Sequence, residues 1–281
     1  MSGVIDIHPH VISRDLQRYP RSPLGGRTSD WSETRPVSAE QMIAAMDAAG
    51  VERAVLVQAS TCYGHDNSYV ADSVAAHPRR FAGVFSVDML EPEAPERIRA
   101  WKRRGLAGLR VFIAGHSMTQ EVRLDDPRGY PAWQCAVHEA LPVCVQLRAP
   151  ALPQLQAVLE RFPAARVILD HMARPVVDDG PPYAKAQSLF GLARYPNLYL
   201  KLTTHNARDA RQGRATPHSF LSRVIDAFGV MRIAWGSNYP ASEGPLPVLF
   251  AEARAALAER TPAEREWIFS RTAQSLYPAA A

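Results

Sequence analysis

The feature that most constrains this chain is a rhythm. Eight short, apolar, β-branched runs recur along it, mostly at intervals of roughly 25–35 residues: 4–8, 54–59, 81–87, 108–113, 142–147, 166–170, 198–202 and 232–236. Each run is apolar on both faces, as a strand must be when helices cover both sides of its sheet. The stretches between them suit helices. Residues 38–49 set Met42, Ile43 and Met46 on one stripe, with Ser38 and Gln41 spaced as a capping box and Gly50 placed to end the helix. Residues 152–161 and 247–259 are spaced similarly. Eight strand–helix alternations predict an α/β fold with a wholly parallel sheet. A single (β/α)8 TIM barrel takes about 250 residues. Residues 1–281 therefore form one expected barrel domain, with the Gly-, Ser-, Arg- and Pro-rich segment 20–36 as a long loop over its mouth. The rival is an open, doubly wound sheet. That fold carries a glycine-rich turn after its first strand, whereas here the turn is His8-Pro9-His10.

Charge narrows the partners. The net charge is +4 and the basic residues are scattered, so no nucleic-acid arm is expected. A few converging Arg and Lys side chains would instead favour a small anionic substrate. Cys62, Cys135 and Cys144 share no metal-type spacing and imply no disulfide framework. The first ten residues lack the basic start and apolar run of a signal peptide, and no apolar stretch approaches the roughly 18 residues of a membrane span. A cytoplasmic protein without a membrane partner is the expectation; homo-oligomerisation stays open.

In a barrel of this kind catalytic groups project from the C-terminal ends of the strands. Those positions are polar here. The first strand leads to His8 and His10, two residues apart and therefore on one side of an extended chain. Ser60, Tyr63 and His65 follow the second strand on a loop, 61–67. Arg110 lies in the fourth, Gln146 and Arg148 close the fifth, and His171 and Arg174 close the sixth. Lys201, Thr203 and Thr204 close the seventh, and Ser237, Asn238 and Tyr239 the eighth. A lone helical histidine, such as His77 or His138, is more simply a surface or structural residue, and Tyr69 belongs to a helix. Two imidazoles on one side of a barrel strand have no such packing explanation.

The segments Asp6-Ile7-His8-Pro9-His10, Leu169-Asp170-His171-Met172-Ala173-Arg174-Pro175 and Trp235-Gly236-Ser237-Asn238-Tyr239-Pro240 resemble, in order and spacing, the signatures of the amidohydrolase superfamily. The similarity is to its "amidohydrolase 2" group, and within it to the metal-independent lactonases that open pyrone dicarboxylates. That group also holds decarboxylases, so the resemblance does not fix an activity. Strand-end position and resemblance together make His8, His10, His171, Lys201 and Asn238 the expected catalytic residues, with His8, His10 and Lys201 holding the oxyanion. Ser60, Tyr63, His65, Arg110, Gln146, Arg148, Arg174 and Tyr239 would bind substrate.

Metal-dependent relatives use the first-strand histidine pair, a fifth-strand His or modified Lys, and an eighth-strand Asp. Here the last two positions are the amides Gln146 and Asn238, poor donors for zinc. No cofactor is therefore expected, with a zinc ion on His8, His10 and His171 as the alternative. Asn238 also removes the expected base. Three explanations stay open: His171 or another imidazole activates water, the residue is an engineered replacement, or the chemistry needs no base there. The leading expectation is hydrolysis of a carboxylate-bearing lactone or similar cyclic ester. The alternatives are non-oxidative decarboxylation of an unsaturated or aromatic acid, and a barrel that only binds its ligand.

Overall fold

The computed structural model describes residues 3–113 and 122–278. Its centre is a cylinder of eight parallel strands in sequential order. They are β1 (Val4–Asp6), β2 (Val51–Val57), β3 (Phe81–Ser86), β4 (Gly108–Phe112), β5 (Val143–Gln146), β6 (Val167–Leu169), β7 (Leu198–Leu202) and β8 (Ile233–Trp235). Between β8 and β1 the Ile7 amide donates to the Trp235 carbonyl at 3.1 Å, which draws the two edges together. The protein is a single (β/α)8 TIM barrel, and the rival open sheet is excluded.

Helices alternate with the strands: α1 (Ala39–Ala49), α2 (Ser68–Ala76), α3 (Ala94–Arg103), α4 (Tyr130–His138), α5 (Leu152–Arg161), α6 (Gln187–Gly191), α7 (Pro217–Phe228) and α8 (Leu246–Ala256). The capping box at α1 forms in full. Ser38 accepts from the Gln41 amide, and the Gln41 side chain accepts from the Ser38 amide; Gly50 then stops the helix with φ 70°. Helix α8 begins one residue and ends three residues before the expected 247–259; beyond it the Leu257, Ala258 and Arg260 amides each donate three residues back, in turns.

Strand side chains alternate between two cores. Ile5, Ile7, Val55, Val57, Val84, Cys144 and Ile168 fill the cylinder, while Leu56, Leu109, Val143, Val145, Leu198, Leu200 and Leu202 pack outward against the helices. Tyr199 faces inward, and so, two residues on, does Lys201. Six expected strands prove longer than the observed ones, and three of these, β1, β6 and β8, end before His8, Asp170 and Gly236. Those residues break from the ladder to bend over the rim. Segment 20–36 holds a helical turn, Leu24–Gly26, and a short helix, Asp30–Thr34.

Candidate active site

Beneath the rim, Asp6 ties the first strand to the eighth. Its fully buried carboxylate accepts from the His8 amide at 3.0 Å and the Ser237 amide at 2.8 Å. Gly236 completes this closure, because a Cβ there would lie 2.5 Å from the Cβ of His8. His8 and His10 are thereby fixed at the end of the cylinder, their rings edge to face with centroids 4.9 Å apart.

The third imidazole arrives on strained backbone. His171, Met172, Ala173 and Arg174 all have positive φ, between 48° and 59°. A left-handed turn of non-glycine residues costs about 1–2 kcal/mol per residue. Asn206 holds it, donating from its side chain to the His171 carbonyl at 2.7 Å. Strain of this sort clusters where a side chain must be aimed. Here it brings the His171 ring to 4.8 Å from that of His8.

The hydrogen bonds fix a tautomer for each ring. His10 Nδ1 donates to the Val57 carbonyl at 2.8 Å, which leaves a lone pair on Nε2. The Thr203 hydroxyl stands 2.9 Å from His171 Nδ1 and 3.2 Å from Asn206 Oδ1; with the hydroxyl donating to Asn206, His171 carries its proton on Nδ1 and also keeps a lone pair on Nε2. His8 is the reverse. Its Nδ1 lies 2.8 Å from Lys201 Nζ, a group with nothing but donors when charged, so the proton sits on Nε2, which has no partner among the described residues.

Lys201 itself is fully buried below the rim. Its three donors meet His8 Nδ1, Asp170 Oδ1 at 2.8 Å and Cys144 Sγ at 3.4 Å. Lys201 therefore meets the rim through His8 and lines none of the cavity above it. Arg110, also buried, bonds the Gln58 carbonyl and stands 4.0 Å from Asp170.

Above these groups opens a cavity of about 720 Å³. His10, Arg110, Gln146, Arg148, His171, Arg174 and Asn238 all line it, and Arg27, Trp31 and Arg35 reach it from segment 20–36. Trp31 stacks on His10 with ring centroids 5.3 Å apart. Arg174 is held by Asp209 through two bonds of 2.9 and 2.8 Å, whereas Arg148 makes no ion pair among the described residues. The Gln146 side-chain oxygen Oε1 is buried and has no hydrogen-bond partner among the described residues.

Four expected substrate contacts stand elsewhere. Residues Ser60–Tyr63 form a helical turn rather than a loop, and this turns Tyr63 away: its hydroxyl serves the Ser13 amide and Arg21. Ser60 is buried, and its neighbour Thr61 lines the cavity instead. His65 bonds Ser86 and borders a separate, smaller cavity with Asp88 and Trp133. Tyr239 packs its ring on the outer core. His77 and His138 end helices α2 and α4, and Tyr69 lies in α2.

Two residues unassigned from the sequence belong to the site. Asp170 anchors Lys201. His205, on the short helix Thr204–Asp209, lies with its ring 5.3 Å from His171, and the Asn238 side-chain nitrogen stands 3.3 Å from its Nε2. Three polar residues directly after a strand were the available signal.

Electrostatics keep every ring neutral. Burial, reinforced by Arg110, pulls His10 down to about 3, and burial with Arg174 pulls His205 to about 4. Burial lowers His8 and His171 well below the ordinary imidazole range, with Lys201 opposing a further charge on His8 and His205 opposing one on His171. These rings are directional donors and acceptors, not cations.

A divalent ion fits this donor set poorly. A metal-bound imidazole donates from its other nitrogen to an acceptor, but the other nitrogen of His8 faces a donor. Gln146 and Asn238 add no negative charge. Among the described residues, no group of three or more His, Cys, Asp and Glu side chains is disposed to share an ion.

Fold and rim together define a barrel enzyme that acts on a small molecule. The chain belongs to the amidohydrolase family, which it matches over residues 5–279. It is 30% identical over 254 residues to an L-fucono-1,5-lactonase of Burkholderia ambifaria, covering 86% of this chain and 82% of that protein. It is 25% identical over 249 residues to a 4-sulfomuconolactone hydrolase of Hydrogenophaga intermedia, covering 85% and 75%. A Pseudomonas putida crystal structure, provisionally described as a 2-pyrone-4,6-dicarboxylic acid hydrolase, superposes with a TM-score of 0.81 over 100% of this chain and 99% of that one. At 19% identity that last likeness concerns the fold alone.

Proposed function

We propose that this chain hydrolyses a carboxylate-bearing lactone or similar cyclic ester, without a tightly bound metal. The observation that carries the reading is the meeting of His8, His10 and His171, with fixed and complementary tautomers, beside a cavity lined by Arg148 and Arg110. Two lactone-opening relatives support it.

Arg148, exposed and without an ion pair among the described residues, is suited to a carboxylate. The lactone carbonyl oxygen meets the Arg110 guanidinium, which lines the cavity, with the buried His8 Nε2–H as a second donor behind it where negative charge develops. Water is held by the His10 lone pair and the Asn238 amide, and it gives its proton to His171 Nε2 as its oxygen bonds to the carbonyl carbon. The tetrahedral intermediate then collapses. The ring C–O bond breaks, and the leaving oxygen takes the proton back from His171. The new carboxylic acid ionises at neutral pH and releases one proton per ring opened. The neutral state of His171 is the one that can accept that proton, and an anionic substrate nearby offsets the charge it then carries.

Titrating released acid at constant pH across aldono-1,5-lactones and muconolactones tests this. The expected result is one equivalent of acid per lactone consumed, well above spontaneous opening, and no carbon dioxide. Release of carbon dioxide from an unsaturated or aromatic acid, with all lactones left intact, would overturn it.

A further inference from the structure

Lys201, Asp170 and Cys144 form a buried cluster that touches neither the cavity nor any expected substrate. All three are fully shielded from solvent. A lysine buried inside a barrel needs a reason, since an ammonium and a carboxylate removed from water repay their desolvation only with good geometry. The contacts here are short. Asp170 Oδ1 and His8 Nδ1 each lie 2.8 Å from Lys201 Nζ, and Cys144 Sγ takes the third donor at 3.4 Å. Asp170 Oδ1 is also 3.6 Å from His8 Nδ1, just behind the ammonium.

That arrangement has an alternative state. Without the ammonium, His8 Nδ1 has one polar neighbour left on that side, the Asp170 carboxylate, which accepts. The ring would then carry its proton on Nδ1 and expose a lone pair on Nε2. The His8 ring, 4.9 Å from that of His10 and 4.8 Å from that of His171, would then add a third lone pair to the cluster, and the His8–carboxylate contact would supply the outer support that zinc-bound histidines take.

We infer that the Lys201–Asp170 pair is a tautomer lock: it holds His8 as an Nε2–H donor and thereby keeps a divalent cation out of the three-histidine cluster. Lys201 is a positioning residue. One charged group placed behind the ring decides whether His8 offers a proton or a lone pair to the rim. The inference rests on the proposed role of His8 as the carbonyl's donor, but its tests do not measure turnover, so it stands or falls separately from the lactonase reading.

The direct test needs no variant. Protein labelled with ¹⁵N-histidine, studied by two-bond ¹H–¹⁵N correlation at neutral pH, should show His8 protonated on Nε2 and bare on Nδ1. A His8 protonated on Nδ1 overturns the lock. The second test is calorimetric titration with zinc chloride after chelator treatment. Lys201→Met should bind zinc about ten- to a hundredfold more tightly than the unaltered protein, the range over which outer partners tune metal affinity. Lys201→Arg, which keeps only donors behind the ring, should stay weak. Equal zinc affinity in the unaltered protein and Lys201→Met, both folded by circular dichroism, refutes the inference. If Lys201→Met does not fold, the tautomer measurement decides.

Discussion

Lowering the pH from 7 to 5 should destabilise this protein steeply, and the histidines of the rim set the size of the effect. His10 is held down to about 3 and His205 to about 4 in the folded chain, against about 6.5 for a histidine in an unfolded one. Below pH 6.5 the unfolded chain therefore binds protons that the folded chain refuses. Stability is full above that value and is lost as the pH falls toward the folded values. Between pH 7 and 5 each of these two rings contributes a loss of about 2 kcal/mol, so the pair removes about 4 kcal/mol. His8 and His171 are lowered too and act in the same direction. A domain holds only about 5–15 kcal/mol in total. Urea unfolding followed by tryptophan fluorescence and far-UV circular dichroism at pH 7, 6 and 5 measures the loss, and His205→Gln should recover about half of the pair's share. A change below about 1 kcal/mol between pH 7 and 5 would refute the neutral, desolvated rim on which the tautomer assignments depend.

Three further outcomes are expected. His171→Asn preserves the left-handed backbone, which Asn tolerates, but cannot accept a proton; kcat should fall about 10²–10⁴-fold with the melting temperature nearly unchanged, and near-normal turnover would remove His171 as the base. Arg148→Met, at an exposed cation without an ion pair among the described residues, should raise KM for a carboxylate lactone about tenfold and leave kcat alone; the same change at buried Arg110 would confound binding with the loss of its Gln58 and Asp170 contacts. Asn238→Asp sets a carboxylate beside His205 and within reach of His10. It should raise both rings toward their ordinary range and shrink the acid-side loss by about 1 kcal/mol or more, measured by the same urea titrations.

Several of the site's features were legible before any fold was known. Apolar runs and helical stripes placed every strand to within a few residues, because parallel strands and amphipathic helices each write a period into the chain. His8, His10 and His171 stood out because they follow strands where packing has no use for them. Tyr63 was misplaced for a local reason: a helical turn at Ser60–Tyr63 rotates its hydroxyl toward Ser13 and Arg21, and four residues carry too little periodicity to reveal it. Asp170 passed as part of a motif, since nothing linear marks a carboxylate as the partner of a lysine on the next strand.

Sequence alone determined the barrel and which end of it is chemical, because hydrophobic period and the polarity of strand ends are local properties. Only the closed tertiary structure decided what each imidazole can do. The proton on His8 is dictated by Lys201, 193 residues away, and that of His171 by Thr203, 32 residues away. A ring's tautomer is set by the atom hydrogen-bonded to it, and closure of the cylinder chooses that atom.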